Sequence, residues 1–172
     1  MNVLEELIYY CKEYQPTGAL MLTGEWGCGK TYLIENELKN SLKDSHVLIR
    51  ISLFGLESIN DVKLEIKKSW FNVYINQIAP INIEKKRSYN IAKRAKSGMN
   101  AALELLPEPF KSFLAGTLSI NFLDFVDVKP EINKKKVILI FDDLERCNIS
   151  TSDLLGCIND YCENLHISTI IV

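Results

Sequence analysis

The chain has 172 residues, 47% of them hydrophobic and 24% charged. That is enough apolar material for one sizeable core, which excludes a disordered tail. Its 20 basic and 22 acidic residues leave a formal charge of −2, which excludes a polycationic nucleic-acid coat while permitting a local basic patch.

Val3 to Tyr14 reads as an amphipathic helix, because Val3, Leu4, Leu7, Ile8 and Cys11 recur at intervals of three and four. Glu5 and Glu6 lie where a secretory leader would carry basic residues, so no leader is expected. Gln15-Pro16-Thr17-Gly18 ends the helix, and Ala19–Thr23 is an apolar run of strand length. A glycine-rich turn then leads into a second helix, Lys30 to about Lys43, with Leu33, Ile34 and Leu38 on one face.

His46–Leu53 reads as the next strand, and Asp61–Ile78 as a long helix with Ser58 and Asn60 as candidate caps. Residues 79–135 break the rhythm with Pro80, Pro107, Pro109 and Pro130, and read as a mostly helical insertion. Its basic stretch, Lys85 to Lys96, has Tyr89 as its sole aromatic. A solvated helix face therefore outweighs a nucleic-acid or anionic-lipid surface. The apolar run Phe113–Val126 is too short for a membrane span and is broken by Asn121 and Asp124. Val137–Phe141 is a strand, Ser152–Asn164 a helix and Ser168–Val172 a last strand. Strands alternating with helices predict an α/β fold: one parallel sheet covered on both faces, a single domain over 1–172.

Five cysteines, at 11, 28, 147, 157 and 162, form no C-x₂-C pair. Cys157 and Cys162, with His166 near, read as buried free thiols rather than a metal site, and the set suits a reducing, cytoplasmic compartment.

Gly24-Glu25-Trp26-Gly27-Cys28-Gly29-Lys30-Thr31 matches G-x-x-x-x-G-K-[ST], between a strand and a helix as that motif requires. Glycines let successive backbone N–H groups curl around a polyphosphate at a helix N-terminus. Lys30 is then placed to reach the β- and γ-phosphates, and the Thr31 hydroxyl to ligate Mg²⁺. Cys28 reads as a small side chain in a tight loop, with a reactive phosphate-adjacent thiol as the alternative. Trp26 is expected to pack over the loop rather than stack on a base.

Ile138-Leu139-Ile140-Phe141 runs into Asp142-Asp143, and a carboxylate at the C-terminal end of a buried parallel strand lies at the sheet's ligand crevice. Asp142 is the candidate Mg²⁺ carboxylate, acting through water, and Asp143 the group that orients or deprotonates an attacking water. Arg146 either approaches the phosphates or a neighbouring subunit, or makes a helix-entry ion pair.

These residues carry a resemblance. Gly-Glu-Trp-Gly-Cys-Gly-Lys-Thr (24–31), Ile-Ser-Leu-Phe-Gly (51–55) and Phe-Asp-Asp-Leu-Glu-Arg-Cys (141–147) together resemble the KAP-type P-loop NTPases, over roughly residues 15–172. The resemblance implies ATP–Mg²⁺ binding and ATP-dependent switching, in membrane-associated signalling or bacterial exclusion of phage. It implies a sheet whose fourth strand lies between the phosphate-loop strand and the Asp142 strand. It assigns Gly24, Gly27, Gly29, Lys30 and Thr31 to nucleotide, Asp142 to Mg²⁺ and Asp143 to the catalytic acid position. Relatives with transmembrane helices between the two motifs differ from this chain, whose insertion is too short and polar to span; a peripheral place at the membrane stays open. The family's polar sensor residue, fifth strand and helical lid would follow residue 172. The expectation is thus a core open at that edge of the sheet, which self-associates or takes a protein partner and turns over slowly. Two other readings stand beside the ATPase: a nucleotide-binding interaction module without turnover, and a small-molecule phosphotransferase.

Overall fold

A computed structural model describes residues 2–13, 15–78, 123 and 126–172, with the side chains of 75 and 78 excepted. Five strands form the sheet: β1 (Leu20–Met21), β2 (His46–Ser52), β3 (Glu131–Ile132), β4 (Lys135–Asp142) and β5 (Ser168–Ile171). Among the described residues the helices are α1 (Val3–Lys12), α2, α3 (Ile59–Ile78) and α4 (Thr151–Glu163). Helix α2 is assembled from Lys30–Tyr32, a π-helical Leu33–Leu38 and Lys39–Leu42.

The sheet order is β1-β5-β4-β2, all neighbours parallel. The last strand therefore lies between the first strand and the one ending in Asp142, as the resemblance implies. Alternation along β4 explains how one sheet carries two cores. Val137, Leu139 and Phe141 enter the core beneath α3 and α4, while Ile138 and Ile140 enter the core beneath α1 and α2. Every one of these five is at most 2% exposed, the double burial that a continuous apolar run serves.

Helices α1, α3 and α4 start on side-chain caps, whereas α2 starts on Gly29 without one. Asn2 and Glu5 make a reciprocal capping box on α1. The Ser58 hydroxyl accepts from the Asp61 amide at 3.2 Å, and Ser150 accepts from that of Asp153 at 3.2 Å. Ser58 is thus the cap of α3, and Asn60 lies inside the helix.

The insertion expected over 79–135, with its basic stretch, lies outside the described residues apart from 123 and 126–135. Within the last ten residues the chain is extended and hairpin-forming rather than helical. Glu131 and Ile132 pair antiparallel with Lys136 and Lys135. The turn residues Asn133 and Lys134 both have positive φ, 50° and 65°, as a two-residue hairpin of matching twist requires. The Trp70 indole, on α3, donates to the Lys129 carbonyl at 3.1 Å and ties the approach to this hairpin down. Among the described residues no helix is long and apolar enough to cross a membrane.

Candidate functional site

The C-terminal ends of the parallel strands open on one side of the sheet. Backbone bonds carry the ladder past the strands there: Leu22 N–H to Ile171 O at 2.8 Å, Val172 N–H to Phe141 O at 2.9 Å, and Leu53 N–H to Asp142 O at 2.9 Å. The loop after β1, the end of β4 and the end of β2 are thereby held in register around a cleft of about 730 Å³. Lys30, Thr31, Arg50, Asp142, Asp143 and Arg146 all line it. A cleft of that size suits a ligand as large as a nucleotide.

The loop's conformation follows from its glycines. Gly27 and Gly29 take φ of 82° and 92°, a left-handed geometry that other residues enter with strain. A Cβ on Gly24 would stand 2.9 Å from the Cys28 sulfur, so the loop closes tightly only without one. The Lys30 ammonium folds back to donate to the carbonyls of Gly24 at 2.8 Å and Glu25 at 3.4 Å. Helix α2 begins at Lys30, and its first-turn amides have no carbonyl partner within the helix. Trp26, expected to pack over the loop, instead stands 91% exposed.

Asp142 and Asp143 are held differently. The Asp142 side chain is 15% exposed; its Oδ1 accepts from the Asp143 amide at 2.9 Å, and its Oδ2 from Arg50 Nη2. Asp143 has φ 62° and ψ 35°, and leads a short 3₁₀ turn, Leu144–Arg146. Its Oδ2 accepts from the Ser52 hydroxyl at 2.9 Å, and Arg146 Nε lies 3.9 Å from its Oδ1. Arg146 also stands over the Phe54 ring, 5.8 Å from the centroid. Arg146 thus lines the cleft and makes the ion pair expected at the entry to a helical turn.

Sequence reasoning missed Arg50 and Ser52. Arg50 Nη1 donates to Glu35 Oε1 at 2.6 Å while Nη2 reaches Asp142, so one guanidinium joins α2 to the end of β4. Burial alone would lower the Arg50 pKa, but the hydrogen bond and charge of Asp142, then those of Glu35, hold it above its ordinary value. The signal was a lone cation in an apolar strand, with partners 15 and 92 residues away.

The donor set can be tested against a cation. Thr31 and Asp142 present oxygen alone, the chemistry Mg²⁺ prefers, and Mg²⁺ usually completes its shell with waters and phosphates. Among the described residues no group of three or more His, Cys, Asp or Glu gathers as a metal cage. The residues fit a cation that arrives with a nucleotide. All five cysteines are free; Cys157 and Cys162 are buried as expected, and Cys28 is exposed in the loop.

A glycine turn joining a parallel strand to a helix, beside a carboxylate that ends another strand of the same sheet, defines a P-loop nucleotide-binding domain. The model of the KAP family P-loop domain matches residues 1–172. The chain belongs to the KAP family of P-loop NTPases and is a nucleotide-binding NTPase core. No curated protein and no solved structure gives a match.

Proposed function

We propose that this chain binds ATP with Mg²⁺ in the cleft above β1 and β4 and uses hydrolysis as a conformational switch. What supports the reading is the meeting of Lys30, Thr31, Asp142 and Asp143 in one cleft, although the two pairs lie more than a hundred residues apart in sequence. The loop amides and Lys30 hold the β- and γ-phosphates. Thr31 and Asp142 hold Mg²⁺, which when bound neutralises charge on the phosphate oxygens. Asp143 orients the attacking water and accepts its proton, and Ser52 and Arg146 fix its carboxylate for that task. The biological setting carried by the family, signalling or exclusion of phage, is one a nucleotide switch serves.

The experiment is calorimetry of ATP binding to the wild type and to Lys30→Ala. Charge-assisted contacts contribute about 1.5–3 kcal/mol, so affinity falls on the order of ten- to a hundredfold. Equal binding by the two proteins overturns the reading.

A further inference from the structure

Asp142 has both carboxylate oxygens engaged, by partners of different kinds. Oδ1 accepts from the Asp143 backbone amide, which the sheet fixes. Oδ2 accepts from the Arg50 guanidinium, at the end of a long side chain that is 44% exposed. Arg50 lies on the α2 side of β2: Ile49 and Ile51 point to the opposite core, and Leu48, two residues before Arg50, packs under α1 and α2. On that side it meets Glu35, which is 49% exposed and four residues after Thr31 on the same helix. Glu35 falls within the π-helical Leu33–Leu38, a geometry that recurs where helices serve function.

A guanidinium on Oδ2 and a divalent cation on the same carboxylate exclude one another by charge and by space. Glu35 gives the guanidinium a second anchor when it leaves Asp142. We propose that Arg50 gates the cation site: it closes Asp142 until a divalent cation displaces it, and Glu35 retains it once displaced. Arg50 is thus a positioning residue acting through Asp142. The inference rests on the reading of Asp142 as the cation carboxylate. Its consequence is that the cation binds weakly by itself and well only when nucleotide phosphates supply further ligands.

The test measures binding of Mn²⁺ alone, without nucleotide, by the paramagnetic resonance of the free ion. Arg50→Met keeps the packed stem and removes the charge, and binds Mn²⁺ more tightly. Simple electrostatics predicts that too, so the deciding protein is Arg50→Met/Glu35→Gln. Wild type places one positive and two negative groups here and the double variant one negative group, so the net local charge is unchanged while Oδ2 is released. The double variant binds Mn²⁺ on the order of tenfold more tightly than wild type, the scale of one screened charge contact. Adding Asp142→Asn abolishes the gain. Mn²⁺ affinity equal to wild type in the double variant, folded by its thermal transition, overturns the gate. ATP binding without metal, compared with Lys30→Ala, reads the nucleotide site separately. A Lys30-dependent nucleotide site beside an unchanged Mn²⁺ affinity sinks the gate and spares that site. A raised Mn²⁺ affinity beside Lys30-independent nucleotide binding does the reverse.

Discussion

Asp143 holds a left-handed backbone, φ 62° and ψ 35°, which destabilises a non-glycine residue by about 1–3 kcal/mol. This backbone places its carboxylate against Ser52 and Arg146, apart from the partners of Asp142, as the separate roles proposed for the two acids require. Asp142→Ala therefore removes Mg²⁺-dependent nucleotide binding. Asp143→Asn leaves binding near wild type and abolishes turnover, since it keeps shape and loses basicity. Ser52→Ala removes one hydrogen bond, worth about 0.5–1.5 kcal/mol, and slows turnover about three- to tenfold without moving nucleotide affinity. Isotherms and steady-state rates on the same preparations check all three; a common loss of affinity means the two acids share one role. Cys28 reports on the same loop. It is exposed, whereas burial pushes the Cys11 thiol up to about 12 and raises those of Cys157 and Cys162. Alkylation at pH 8 therefore reaches Cys28 well before these three, and saturating nucleotide slows it. Mass spectrometry of the labelled peptides reads the order.

At the scale of elements, β2 is fastened at both ends by polar side chains. His46 opens the strand, 7% exposed, donating from Nε2 to the Cys11 carbonyl at 3.0 Å and accepting at Nδ1 from the Ser45 hydroxyl at 2.8 Å. Both bonds suit the neutral ring. Burial lowers its pKa below the ordinary 6.5, the Cys11 carbonyl opposing and the Lys136 and Lys12 charges adding to the fall. The sign follows. In the unfolded chain the imidazole takes up a proton as pH drops through 6.5, while folded His46 resists it. Stability is thus whole above that value and declines below it until the folded ring also protonates. Denaturant midpoints between pH 7 and pH 5 fall for wild type and fall less steeply for His46→Gln; parallel slopes refute this. At the other end of β2, the Arg50 and Ser52 contacts could not be read from sequence. An ion pair across 92 residues leaves no periodic trace, because it depends on strand register, here Ser52 opposite Asp142. By contrast, β4 was legible because burial on both faces demands an unbroken apolar run. The glycine loop was legible because positive φ and close approach restrict residue choice at fixed spacing. The β3 hairpin was missed because two paired residues are too few for a period to show.

At the scale of the molecule, four parallel strands carry a core on each face, and the cleft lies where their C-terminal ends meet. The cleft's walls come from α2, β2, β4 and the loop after β1, so a ligand there touches both cores' scaffolding at once. It binds the folded chain alone, because the unfolded chain does not bring Lys30 and Thr31 to Asp142. Linkage then sets the size of the effect. At a hundred times its dissociation constant a ligand stabilises the fold by about 2.7 kcal/mol. For a domain of this length about 1 kcal/mol moves the transition by about 2–4 °C, so saturating ATP with Mg²⁺ raises the Tm by about 5–11 °C. Lys30→Ala, whose ammonium bonds loop carbonyls, keeps the unliganded Tm within a degree or so and loses about half of the rise or more at the same ATP concentration. Mg²⁺ without nucleotide shifts neither protein, since Arg50 holds the carboxylate it would need. A melting series over nucleotide concentration separates the outcomes. A rise of equal size in wild type and Lys30→Ala would put the ligand somewhere other than this cleft.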